Sequence, residues 1–200
     1  MSEFINKTDI SSKDYSGSVQ FPVKEKIIID PTKQDDPHDT SIQQKLVQLL
    51  TVKNKKIATA ESLTGGLLSK KITEVSGASL VFECGICSYS NRIKHELLGV
   101  STDTLERFTE YSSDTAAEMA QGVRRISGAD IGISTTGIAG PGGGTPDKPV
   151  GLVYVGISTK HLTEVYQLLI TNADGDRELI REVSASFILS KAVDCLDSLS

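Results

Sequence analysis

Short apolar segments suited to buried strands alternate with segments of helical periodicity from about residue 40 onward. The predicted strands include residues 56–60, 130–135, 151–159 and 163–171, the last two as a hairpin. The predicted helices include residues 113–127 and a long one from about Asp174. This alternation, with a hairpin late in the chain, favours a mixed sheet covered by helices on both faces. We therefore predict an α/β fold, a three-layer α/β/α sandwich with a mixed sheet.

Two local patterns refine this prediction. Residues 79–89 are predicted to form one long strand, with Leu80, Phe82, Cys84 and Ile86 on the same face. Thr40 with Gln43 three positions later matches a capping box, which predicts the start of the first helix.

Residues 1–38 differ from the rest because they are polar, aperiodic and interrupted by prolines. This composition predicts a disordered N-terminal extension, followed by a single folded domain over residues 39–200. The apolar residues 27–29 leave a strand or a docking segment open as alternatives.

The net charge of -5 and the lack of a basic stripe argue against a nucleic-acid partner. No apolar run approaches the roughly 20 residues that span a bilayer, so no membrane association is expected. Three cysteines, an odd number, favour a reducing compartment, and no signal peptide is recognisable. A cytoplasmic location is expected.

Five glycines lie within residues 137–144, directly after a predicted buried strand. Glycine lets a backbone approach a ligand closely, so successive N–H groups can converge on a phosphate despite the negative net charge. The loop is not a P-loop, since Lys148 is followed by Pro149. A plain flexible connection is the alternative, but the loop has few polar side chains for a solvent linker. The candidate ligand-binding residues of this loop are Gly137, Gly140, Gly142 and Gly143.

A second candidate segment joins a strand to a helix at residues 61–66, Glu-Ser-Leu-Thr-Gly-Gly. Open α/β sheets bind ligands at such corners, and helix N-termini offer N–H groups to an oxyanion or phosphate. Ser62 is thus either a nucleophile or an N-cap, and Glu61 either contacts a ligand or complements the helix dipole. The candidate binding residues are Glu61, Thr64, Gly65 and Gly66.

A third segment, residues 89–94, ends a strand and begins a helix. With Asn91 as N-cap, Lys94 falls in the first turn, where the helix dipole disfavours a cation. The dipole contributes about 0.3–1 kcal/mol, too little to lower a lysine pKa from about 10.4 to neutrality. Burial or a neighbouring cation would have to supply the rest before Lys94 can act as a base. A surface lysine is the alternative.

Other reactive residues are weaker candidates. Cys84 and Cys87 form a C-x-x-C within a strand, which favours packing over redox or metal chemistry. His38, His95 and His161 lack ligand spacing, so no metal or other cofactor is expected. The absence of a partnered histidine leaves a lysine as the activator of Ser62.

These segments together resemble the C-terminal domain of the CinA (competence/damage-inducible protein A) family, the nicotinamide-nucleotide amidases. The resemblance covers about residues 42–198 and rests on five ordered blocks. The blocks are Ala60–Gly66, Tyr89–Lys94 with Leu98–Val100, Thr136–Pro141, Lys148–Gly151 and Gly175–Arg177.

The resemblance implies hydrolysis of nicotinamide mononucleotide to nicotinate mononucleotide and ammonia. It implies Ser62 as nucleophile, Lys94 as its base and Tyr89 as an assisting group. Asn91, the glycine loop, Thr136 and Lys148 would contact the nucleotide. It also implies a homo-oligomer, a dimer or larger.

The chain departs from the family pattern in three respects. Many members carry an additional N-terminal domain, which the residues before 40 are too few to form, so a stand-alone form is expected. Residues 109–112 read Thr-Glu-Tyr-Ser where the family usually has Gly-Ala-Val-Ser, and Cys84 replaces a usual glycine. A non-catalytic module that binds a pyridine nucleotide, or an amidase for another small amide, are the alternatives.

Overall fold

A computed structural model describes residues 21–33 and 40–198. Its six-stranded sheet has the order β1-β6-β5-β4-β2-β3. The strands are β1 (Val23–Ile29), β2 (Ile57–Glu61), β3 (Phe82–Cys87), β4 (Ile131–Gly137), β5 (Leu152–Ser158) and β6 (Thr163–Ile170). β2 lies parallel to both β3 and β4, whereas β5 is antiparallel to β4 and β6. The sheet is therefore mixed, as predicted, and β5 with β6 forms the predicted hairpin.

Helices cover both faces of the sheet. The helices are α1 (Ser41–Val52), α2 (Leu67–Thr73), α3 (Asn91–Glu96), α4 (Thr102–Arg107), α5 (Ser113–Ser127) and α6 (Arg177–Ser198). α1, α2 and α6 pack together on one face, and α5 packs across β2, β4, β5 and β6 on the other. The larger core lies under α1 and α6, and a second cluster joins β2 to α5. The predicted α/β/α fold is confirmed.

The prediction of disorder for residues 1–38 is wrong for β1. This strand extends the sheet beyond the predicted domain boundary by pairing in parallel with β6, from Val23 opposite Val165 to Ile29 opposite Ile170. Ile29 is 2% exposed and belongs to the larger core. Composition misled here because the edge of β6 supplies the hydrogen bonds that the isolated segment lacks. The rest of the predicted extension, residues 1–20 and 34–38, lies outside the described residues.

Several predicted boundaries also need correction. Thr40 precedes α1 but makes no side-chain capping bond, so the capping box does not form. Ser90, not Asn91, caps α3, because its hydroxyl accepts from the N–H of Ile93. The predicted strand over residues 79–89 is shortened to β3, since residues 78–80 form a 3-10 turn that leaves Leu80 exposed.

The C-x-x-C cysteines differ in their surroundings. Cys84 packs against the cluster between β2 and α5, whereas Cys87 is exposed. The packing interpretation therefore holds for Cys84 alone. No helix among residues 21–33 and 40–198 is long and apolar enough to cross a membrane.

Candidate active site

The three candidate segments meet at one edge of the sheet. Ser62 follows β2, Lys94 lies in the helix that follows β3, and the glycine loop follows β4. These strands are neighbours and parallel, so their carboxyl ends lie side by side. Ligands bind at this position in open α/β sheets.

Lys94 reaches Ser62 from the neighbouring segment. Its Nζ lies 3.1 Å from Ser62 Oγ and donates a hydrogen bond of 2.9 Å to the carbonyl oxygen of Ser88. Lys94 is 1% exposed and Ser62 6% exposed. Ser90 fixes the start of α3, and this start orients Lys94 toward the serine.

Burial gives Lys94 an unusual acidity. Desolvation of the ammonium form lowers the Lys94 pKa from 10.5 to about 8, and the negative charge of Glu110 opposes this shift. A substantial fraction of the side chain is therefore neutral near physiological pH. A neutral amine at hydrogen-bond distance from a serine hydroxyl can accept its proton, which is the geometry of a nucleophile and its general base.

The carboxylate of Glu61 serves the fold on the side away from this contact. It is fully buried and accepts hydrogen bonds from the N–H groups of Gly66, Leu68 and Ser69 at 2.9, 3.0 and 2.9 Å. Glu61 thereby caps the N-terminus of α2, so these N–H groups do not reach a ligand. Ser62 itself lies four residues before Gly66, the N-cap position of α2, and is not its N-cap.

A cavity of about 430 Å³ opens above Ser62 and Lys94. Of the candidate residues, eight line it: Ser62, Tyr89, Asn91, Lys94, Gly137, Gly140, Gly142 and Gly143. The other lining residues are Leu63, Glu110, Tyr111, Ile138, Ala139 and Arg177. Pockets of a few hundred Å³ are typical of small-molecule sites.

Six candidate binding residues lie outside this lining: Glu61, Thr64, Gly65, Gly66, Thr136 and Lys148. Thr64 is fully buried, with its hydroxyl 2.7 Å from that of Thr135. Thr136 donates to the carbonyl oxygen of Glu110 at 2.6 Å. Both hydroxyl groups bond to the protein instead of facing the cavity. The sequence pattern predicted their position near the site but not the direction of their side chains.

Lys148 also bonds to the protein and does not line the cavity. Its Nζ donates to the carbonyl oxygens of Phe108 and Tyr111 at 3.0 and 3.3 Å and to the hydroxyl of Thr109. Burial lowers the Lys148 pKa, and the charge of Glu110 opposes that shift. Lys148 therefore holds the segment that carries Glu110 and Tyr111.

The mouth of the cavity combines the glycine loop with a cation. Gly140 and Gly143 have positive φ angles of 74° and 87°, which residues with a Cβ rarely adopt. Arg177 donates to the carbonyl oxygen of Gly140 at 2.8 Å and to the hydroxyl oxygen of Tyr89 at 3.0 Å. Tyr89 is 69% exposed. The Arg177 guanidinium at this rim suits an anionic group of a ligand.

Sequence reasoning missed Arg177 as a lining residue, whereas Glu110 and Tyr111 belong to residues 109–112, the segment whose departure from the family pattern had already been singled out. Arg177 is the first residue of α6, where the helix dipole disfavours a cation, as was argued from the sequence for Lys94. That argument, applied consistently, would have identified Arg177. Glu110 and Tyr111 carry no comparable local signal.

No group of three or more His, Cys, Asp or Glu in the described part of the chain is arranged to hold a metal ion.

Comparison of the chain with known proteins shows which family it resembles. Residues 39–196 match the family model described as the CinA C-terminal domain. The chain is 52% identical over 143 residues to a protein of Thermoanaerobacter sp. (strain X514) that is named as competence-damage inducible. The match covers 72% of this chain and 34% of that protein. It is 48% identical over 151 residues to a CinA-like protein of Kosmotoga olearia, covering 76% of this chain and 36% of that protein. The chain thus spans about a third of the length of these relatives.

Solved structures with a similar fold have names that point to the same family. A competence/damage inducible protein from Agrobacterium tumefaciens has a TM-score of 0.75 and 34% identity, covering 80% of this chain and 95% of that one. A competence or damage-inducible protein from Enterobacter asburiae has a TM-score of 0.75 and 32% identity, and the match covers 82% of this chain and 99% of that one.

Proposed function

This chain belongs to the CinA C-terminal domain family, and from that premise we propose that it hydrolyses the carboxamide of nicotinamide mononucleotide, giving nicotinate mononucleotide and ammonia. The observation that carries the proposal is the buried contact of 3.1 Å between Lys94 Nζ and Ser62 Oγ. A lysine with a pKa of about 8 beside a serine at the floor of a cavity suits acyl transfer.

Neutral Lys94 removes the proton from Ser62, and Ser62 Oγ attacks the carboxamide carbon. The carbon–nitrogen bond then breaks, and ammonia leaves with the proton that Lys94 had accepted. Water next cleaves the acyl ester, with Lys94 taking its proton and returning it to Ser62 Oγ. Lys94 accepts and returns the proton in both the acylation and the deacylation step, so the mechanism needs no second general base.

The oxyanion needs backbone donors near Ser62 that Glu61 does not occupy. Leu63 follows the nucleophile and lines the cavity, so its N–H is our first choice of oxyanion donor. Gly65 lies outside the lining.

The rest of the cavity fits the nucleotide. With the carboxamide at Ser62, the phosphate lies toward the rim, where Arg177 and the turn at Gly142 and Gly143 meet. A guanidinium pairs well with phosphate oxygens, and glycine lets the backbone approach them. Tyr89 hydrogen-bonds Arg177 at this rim, and its part in proton transfer stays a prediction. Assembly as a dimer or larger and a cytoplasmic location also stay predictions.

The test is ammonia release from nicotinamide mononucleotide by the purified chain, with a chelator present and Ser62→Ala alongside. Ammonia from the unmodified protein alone would support both the reaction and the nucleophile without a metal. Binding of the nucleotide without ammonia would favour the non-catalytic module instead.

A panel of nicotinamide, its riboside and its mononucleotide addresses the substrate. Efficient turnover of the mononucleotide alone is the expected result. Turnover of none of them, with release of ammonia from another amide, would overturn the substrate assignment.

A further inference from the structure

Residues 109–112 give the cavity its negative charge. Glu110 and Tyr111 both line the cavity, and Glu110 is the only acidic side chain among the described lining residues. A carboxylate in the lining acts electrostatically on any ligand that enters the cavity.

The backbone that carries Glu110 is held firmly. Its carbonyl oxygen accepts from Thr136 Oγ1 at 2.6 Å, and Lys148 bonds the residues on both sides. Thr109 has a φ angle of 69°, a backbone conformation that residues with a Cβ rarely adopt. The surrounding hydrogen bonds maintain this conformation, so the position of Glu110 is set before a ligand arrives.

The carboxylate of Glu110 hydrogen-bonds uncharged side chains. It accepts from the side-chain amide of Asn91 at 3.3 Å and pairs with the hydroxyl of Tyr111, and its charge also acts on Lys94 and Lys148. Two phenol rings, those of Tyr89 and Tyr111, line the same cavity. A carboxylate together with aromatic rings favours a cation over a neutral group of the same shape.

We propose that Glu110 makes this cavity selective for carboxamides on a positively charged N-substituted pyridinium ring, over uncharged carboxamides of similar shape. This inference rests on the proposed function, in which the substrate ring carries that charge. Glu110 acts as a specificity-determining residue that contacts the ring, whereas Arg177 contacts the phosphate.

The test measures binding in a Ser62→Ala background, so that turnover does not interfere. The two ligands are nicotinamide mononucleotide and its 1,4-dihydro form, which keeps the carboxamide, ribose and phosphate but has an uncharged ring. Calorimetric Kd values are compared with and without Glu110→Gln. We expect Glu110→Gln to raise the Kd of the charged ligand about 10-fold and that of the uncharged ligand less than about 2-fold.

Two further variants separate charge from shape. Glu110→Asp keeps the charge and should retain most of the preference for the charged ring. Glu106→Gln removes an exposed carboxylate on α4, outside the cavity lining, and should change neither Kd.

Equal weakening of both ligands by Glu110→Gln, or no change in either, would overturn the inference while leaving the proposed function intact. Failure of the Ser62→Ala protein to bind either ligand would instead overturn the proposed function, and the inference with it.

Discussion

Lys94 Nζ lies 3.1 Å from Ser62 Oγ, although 32 positions separate the two residues in the chain. Parallel pairing of β2 with β3 brings the segments together, and burial lowers the lysine pKa to about 8. Geometry and acidity therefore combine in one pair of side chains, and the following predictions test their consequences.

The first prediction concerns the pH dependence of hydrolysis. Lys94 must be neutral to accept the serine proton, so kcat/KM should rise about tenfold per pH unit below pH 8 and level off above it. Initial rates of ammonia release from pH 6 to 9.5 at constant ionic strength check this. A flat profile between pH 6 and 8 would exclude Lys94 as the titrating base.

Lys94→Met should abolish turnover yet stabilise the fold at pH 7. The folded pKa of about 8 lies below the usual 10.5, so burial of the charged form costs about 3 kcal/mol at pH 7, and this cost declines between pH 8 and 10.5. The variant also loses the two hydrogen bonds of Lys94 Nζ, which lowers the stability by about 1 kcal/mol for each bond. Urea unfolding should show a gain of about 1 kcal/mol at pH 7 that turns into a loss of about 2 kcal/mol by pH 10.5, where only the missing hydrogen bonds count. A loss of stability at pH 7 would contradict this account.

Glu61→Gln should destabilise the protein by about 2–4 kcal/mol, because an amide group would face the N–H donors of α2. Glu74→Gln is the matched control at the other end of α2, where the carboxylate pairs with Lys70 in solvent. That variant should change the unfolding free energy by less than about 1 kcal/mol. Equal effects of the two variants would argue against Glu61 as the helix cap.

Arg177→Met should lower kcat/KM for nicotinamide mononucleotide at least about 10-fold by removing a guanidinium from the phosphate. The riboside lacks the phosphate, so its kcat/KM should change less than about 2-fold. Arg92→Met, which removes an exposed arginine paired with Glu96, serves as control. A similar loss with the riboside would mean that Arg177 acts on the glycine loop instead.

Ile29→Ala should cost about 2–4 kcal/mol of unfolding free energy, since the side chain is 2% exposed in the core. Its neighbour Ile28 is 48% exposed, and Ile28→Ala should cost less than about 1 kcal/mol. Chemical unfolding of both variants measures whether β1 belongs to the cooperative fold. Equal small losses would indicate that β1 contributes little to it.

The sequence by itself determined the α/β class, the hairpin and the three segments that meet at the site, because periodicity and glycine spacing reflect local backbone geometry. It singled out Lys94 on the assumption of an N-cap at Asn91, but the structure has Ser90 as the cap and Lys94 in the last turn of α3, so burial and not the helix dipole makes this lysine unusual.

Only the tertiary structure decided which way each side chain faces. Glu61 and Ser62 are adjacent in the chain, yet one caps α2 while the other lines the cavity. Glu110 enters the cavity because Thr136 and Lys148, which are distant in sequence, hold its loop. β1 forms because β6 offers it an edge. These outcomes depend on hydrogen bonds between segments that are far apart in the chain, and local sequence patterns do not encode such contacts.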